Sequence, residues 1–214
     1  MPDFARLRLE TAQRIAADIA ENASDWAFAR SRALDDIRRT LGAVPANAVP
    51  SSAEIESAVR EHYAIFCPEE HAEQLRGKRL LALELLDALG DFDVYLTGAV
   101  LNGCAHADSN IVLDVFCDDV KRFEAALMDR GIAFEPVDAP RSAMGEPLES
   151  LGALIYPRRS RAAEGVRFDV RPTTDRGRNP FRRRPDARQR PWEAQGRISA
   201  QELRAALEEM SEGD

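Results

Sequence analysis

Apolar residues recur at helical spacing over the first forty positions, then switch to strict alternation after residue 90. Phe4, Leu7, Ile15 and Ile19 mark one stripe, and Trp26, Ala29, Ala33, Ile37 and Leu41 a second, with "ENASD" between them as cap and turn. Two amphipathic helices are expected there. "GAVPANAVPSS" (42–52) sets a glycine and two prolines among small residues, which ends the second helix. The expected organisation is therefore an N-terminal helical region (1–42), a linker (43–52) and a main domain (53–214). Ser51 and Glu54 have capping-box spacing for a helix running to about Phe66, and Pro68 suits a first helical turn. The helix that follows is apolar on most sides, with leucines at 75, 80, 81, 83, 85, 86 and 89, and should be central.

Beyond Gly90 the period becomes two. Phe92, Val94 and Leu96 oppose Asp93, Tyr95 and Thr97, and "SNIVLDVF" points Ile111, Leu113 and Val115 away from Asn110, Val112, Asp114 and Phe116. A helix through "DDVKRFEAALMDRG" stops at Gly131. "IAFEPV" and "LGALIYP" read as short strands, and "EGVRFDVRP" as a clear one with Arg167, Asp169 and Arg171 on its polar side. Ser199 and Glu202 cap a last helix with a Leu203, Leu207, Met210 stripe. Strands and helices mix irregularly, which favours an α+β fold with helices gathered on one face of a mixed sheet.

Composition narrows the function classes. The chain has 214 residues, 44% of them hydrophobic, and no apolar run approaches the roughly 20 residues of a membrane span. No signal-peptide pattern opens it, and Cys67, Cys104 and Cys117 form neither a disulfide framework nor a CxxC zinc site, so a reducing cytoplasm is the expected setting. Net charge is −8, which argues against a surface that grips nucleic acid all over. Yet seven arginines fall between Arg176 and Arg190. This block reads either as a solvated, poorly ordered loop or as a phosphate contact for nucleic acid.

Candidate chemistry concentrates in "GAVLNGCAHADSNIVLDVF" (98–116). This stretch resembles the signature of the nucleotidyltransferase superfamily with the DNA-polymerase-β-like fold: a Gly-Ser turn, an Arg-Gly pair, then Ser-Asp-x-Asp opening a strand. Gly98 and Gly103 fall on the two glycines and Ser109 on the serine before the acids, while Ala99 stands at the first serine and Asn102 at the arginine. Asn110 and Val112 stand at the paired carboxylates. The resemblance implies a nucleotidyltransferase-like mixed sheet behind an N-terminal helical pair, as in bacterial proteins of unassigned role. It also implies a nucleotide site at Gly98, Ala99, Asn102, Gly103, Ser109 and Asn110, with Arg167 and Arg171 for phosphate.

In that family two carboxylates on one strand face hold Mg²⁺ against a nucleoside triphosphate. An asparagine ligates weakly and a valine not at all, so the resemblance implies a degenerate domain that binds a nucleotide or a protein partner without transfer. Two carboxylates keep an active transferase open as an alternative. Asp114 lies on the face of Asn110, two residues and about 7 Å past Val112, and Asp169 sits where the family takes a third acid from a neighbouring strand. Together they would make a displaced catalytic metal pair; otherwise Asp169 is salt-bridged between Arg167 and Arg171 on an exposed strand face and Asp114 is a hydrogen-bonded structural acid. His62, His71 and His106 are too scattered for a metal site, His106 being a minor candidate for a phosphate or base contact. Cys104 reads as turn filler before reactive thiol, and neither GxxxxGK[ST] nor GxSxG occurs.

Overall fold

The computed structural model describes residues 3–22, 26–138, 142–157 and 162–212. Residues 23–25 of the expected first turn lie outside them. The contacts divide the chain into two compact units, Met1–Gln74 and Leu75–Asp214.

The first unit contains α1 (Phe4–Asn22), α2 (Trp26–Leu41), α3 (Ser52–Phe66) and the start of α4 (Pro68–Ala88). Ile15 and Ile19 of α1 and Ile55 and Val59 of α3 are buried, and α1 packs against both α2 and α3. Ser51 accepts from the Glu54 amide while the Glu54 carboxylate takes the Ser51 N–H, so the capping box forms as expected. The segment expected as a linker is part of this packing. A 3₁₀ turn at Ala46–Ala48 puts Ala48 out of solvent against α1, and α3 belongs with the N-terminal helices. The division therefore falls inside α4 and not at 43–52, because the small residues that look like linker fit closely against a helix.

The second unit is α+β. Its elements are β1 (Asp93–Thr97), α5 (Gly98–Asn102), β2 (Ile111–Phe116), α6 (Val120–Asp129), β3 (Glu135–Pro136), β4 (Glu149–Ile155), β5 (Glu164–Arg171), β6 (Arg197–Ile198) and α7 (Ala200–Glu212). The strands form one mixed sheet in the order β3-β4-β5-β2-β1-β6, with β2 and β5 parallel and every other pair antiparallel. Val94, Leu96, Ile111, Leu113, Val115, Leu151, Ala153, Val166, Phe168, Val170 and Ile198 share one face. There they form the core with Leu81, Leu85 and Leu86 of α4, Phe123 and Leu127 of α6, and Leu203 and Leu207 of α7. Helices thus gather on one side, and each fully buried large apolar side chain contributes about 1.5–3 kcal/mol.

"IAFEPV" yields only a two-residue strand, since Pro136 cannot donate to a ladder. The 98–102 turn is a short helix, and β6 pairs with β1 at the sheet's other edge.

Candidate functional site

The polar face of the sheet carries a row formed by register. Asp114 of β2 lies opposite Tyr95 of β1 and Asp169 of β5, and Asp169 lies opposite Ser150 of β4. Parallel pairing with side-chain period two brings the two aspartates side by side, as the sequence expected of neighbouring strands. Both are only 3% exposed, and so is Arg171.

Each carboxylate is already engaged. Arg171 donates from Nε to Asp114 Oδ1 at 2.7 Å, approaches Asp169 Oδ2 at 3.6 Å through Nη2, and reaches the Gly145 carbonyl at 3.3 Å through Nη1. Arg167 grips Asp169 with two donors, Nε at 2.9 Å and Nη2 at 3.2 Å, and Ser150 Oγ donates to the same carboxylate at 2.7 Å. Two anions and two guanidinium cations therefore balance within a buried network. Burial raises the Asp114 pKa above the ordinary aspartate value; Arg171 opposes the shift and the Asp169 charge adds to it.

This arrangement decides how the residues expected to hold a metal behave. Mg²⁺ needs near-octahedral oxygens that face an open position, whereas here three of the four carboxylate oxygens meet guanidinium groups. The donor set does not fit the ion, and among the described residues no group of three His, Cys, Asp or Glu side chains suits one. Arg167 and Arg171, expected to flank a phosphate, instead neutralise the acids.

The turn leading to this face keeps its shape through glycine. Gly98 and Gly103 have φ of 72° and 83°, the left-handed region that other residues enter at a cost. Ala99 supplies the carbonyl that accepts from the amides of Gly103 and Cys104. Asn102 accepts from the Cys104 amide at 3.0 Å through its side chain, while its own carbonyl accepts from Gln189 at 3.2 Å. Ser109 Oγ accepts from the His106 amide at 3.0 Å. Burial, with help from nearby Lys78, holds the His106 pKa below its usual value, against the pull of Asp108. Cys104 is buried in this turn, as filler.

Two cations on α4 anchor the turn from beneath, and the sequence reading did not select either. Lys78 donates to the Ser109 carbonyl at 3.0 Å and pairs with Glu164. Arg79 donates at 3.0 Å to the carbonyls of both Val100 and Leu101, pairs with Glu193 at 2.6 Å and lies over the Trp192 ring at 4.4 Å. The available signal was a position: Arg79 falls on the stripe of Leu75, Ala82 and Leu86, where a cation needs a buried partner.

Asn110 and Arg167 meet at an open groove of about 580 Å³, bordered also by Phe134, Glu135, Asp138 and Leu154. Gly165 lies under Asn110 so closely that a Cβ there would overlap the amide oxygen. The groove therefore joins two of the expected nucleotide-binding residues, while Asp114, Asp169, Gly98 and Asn102 lie outside its lining. No protein-family model, curated protein or solved structure matches this chain.

Proposed function

We propose that the chain is a nucleotidyltransferase-like domain in which metal-dependent transfer has been replaced by binding, with a nucleotide in the groove beside Asn110 and Arg167. The carrying observation is that Arg171 and Arg167 hold the two remaining carboxylates, so that protein cations stand where divalent ions would have to bind. The glycine-shaped turn between antiparallel strands and the acid on the parallel neighbouring strand support the relationship to that superfamily. The groove has the size of a small-molecule site, for which about 300–1,000 Å³ is usual. Its half-buried Phe134 ring and the Asn110 amide offer apolar contact and hydrogen bonds to a base, while Glu135 and Asp138 at the rim disfavour a highly charged triphosphate tail.

Thermal shift and calorimetry with the monophosphates and triphosphates of adenosine, guanosine, cytidine and uridine, each with Mg²⁺ and with EDTA, test the reading. A nucleotide at 100 times its dissociation constant should stabilise the fold by about 2.7 kcal/mol, equally in both conditions. Transfer of α-label that requires Mg²⁺ and disappears in Asp169→Asn would overturn it in favour of an active transferase. Stabilisation by no nucleotide would reject the nucleotide and leave the same face to a protein partner.

A further inference from the structure

The segment from Arg176 to Arg190 carries seven arginines and one aspartate on a chain of net charge −8. All seven arginines are exposed. The backbone beneath them is held at many points. The Arg183 amide donates to the Ala194 carbonyl at 2.9 Å, Asn179 donates through its side chain to the Gln195 carbonyl at 2.9 Å, and Gln189 reaches the Asn102 carbonyl. Arg197 donates to the carbonyls of Arg176 and Arg178. Gly196, at φ 78°, lets this backbone come so near that a Cβ would sit 2.6 Å from the Arg182 nitrogen. The loop is solvated, as expected, but its backbone is held in place rather than poorly ordered.

An ordered backbone carrying three cations without ion pairs among the described residues is the informative combination. Arg176 meets Asp93 at 2.9 Å and Arg178 meets Asp175 at 3.2 Å, but Arg182, Arg184 and Arg188 make no ion pair among the described residues. Like charges fixed close together repel, a cost that an external polyanion would remove. No large exposed hydrophobic side chain lies between 176 and 190 among the described residues, so the segment lacks the apolar contact by which surface helices enter membranes. Guanidinium forks match pairs of phosphate oxygens. A single strand has a flexible backbone that can follow such an irregular segment, as a duplex cannot.

We propose that residues 176–190 form a preordered surface for the phosphodiester backbone of a single-stranded nucleic acid, with Arg182, Arg184 and Arg188 as its principal contacts. The assignment stands apart from the groove at Asn110 and holds whether or not that groove takes a nucleotide. The test is fluorescence anisotropy of the full chain with labelled single-stranded RNA and DNA 20-mers of mixed sequence. Three phosphate contacts on a single strand should weaken binding about 20-fold between 50 and 200 mM salt. In R182A/R184A/R188A, affinity at low salt should fall about tenfold or more and most of the salt dependence should vanish. The melting temperature should hold, since these side chains are exposed and make no ion pair among the described residues. Removing the same charge from α2, in R30A/R38A/R39A, should leave binding within about twofold. Equal affinity for RNA and DNA supports pure backbone contact, and preference for RNA supports contact that includes the 2′-hydroxyl. Absence of binding at 50 mM salt overturns the proposal. So does equal weakening by the α2 variant, or competition by poly-glutamate or phosphatidylserine vesicles as effective as unlabelled RNA.

Discussion

Arg171 joins three parts of the polar face, because its one guanidinium touches Asp114, Asp169 and the Gly145 carbonyl. Replacing it with methionine keeps the volume and removes the charge, leaving Asp114 buried without its partner. Arg171→Met should cost about 3–5 kcal/mol, and adding Asp114→Leu should restore much of that loss; denaturant melts of the four proteins in the cycle measure both. The pH dependence has a definite sign. A carboxyl whose pKa is higher folded than unfolded stabilises the fold fully below its unfolded value, about 3.9, and that contribution is lost as pH rises through the folded value. Burial gives Asp114 this upward direction, and removing Arg171, which opposes it, strengthens it. The deficit of the single variant should therefore be smaller at pH 4.5 than at pH 7.5. The alternation around Asp114 and Asp169 made their shared face legible in the sequence. The pairing of Asp169 with its neighbours Arg167 and Arg171 was legible too. The partner of Asp114 and the Ser150 hydroxyl were not, because Arg171 stands 57 residues from Asp114 and Ser150 lies on a further strand.

Among the elements, α4 has two tasks. Its leucines fill the core under the sheet, and its Lys78 and Arg79 reach the two ends of the 98–110 turn. Arg79→Met strands Glu193 and two carbonyls, so a loss of about 3–5 kcal/mol is expected. Arg79→Lys should recover little, since one ammonium cannot span both carbonyls and the carboxylate as the fork does; chemical denaturation of the two variants checks this. The leucine pattern announced a central helix, and the alternation placed β1, β2 and β5 within a residue or two. The cations were hidden because Glu164 and Glu193 lie 86 and 114 residues away along the chain. Helix α5 and strand β6 went unread for a different reason. A one-turn helix and a two-residue strand are too short to establish a period.

For the whole molecule, the boundary inside α4 has a measurable consequence. The second unit owns a continuous apolar core from Leu75 to Leu207. A chain of residues 68–214 should therefore fold by itself, with a single cooperative melt and dispersed NMR signals for the sheet; a non-cooperative melt would reject its independence. The position of that boundary was not legible from composition, because the glycine, prolines and alanines of 42–52 look alike in a tether and in a tight turn against a helix. The helix-on-one-side sheet was legible, since each of its longer strands alternates.

The guanidinium of Arg171 also changes what sort of property the charge at the centre of the sheet is. A metal centre is acquired after synthesis and can be stripped, exchanged or starved. A side-chain cation is encoded, arrives with every copy of the polypeptide, and answers only to mutation. What a metal centre would draw from the cell's ion supply, this chain inherits.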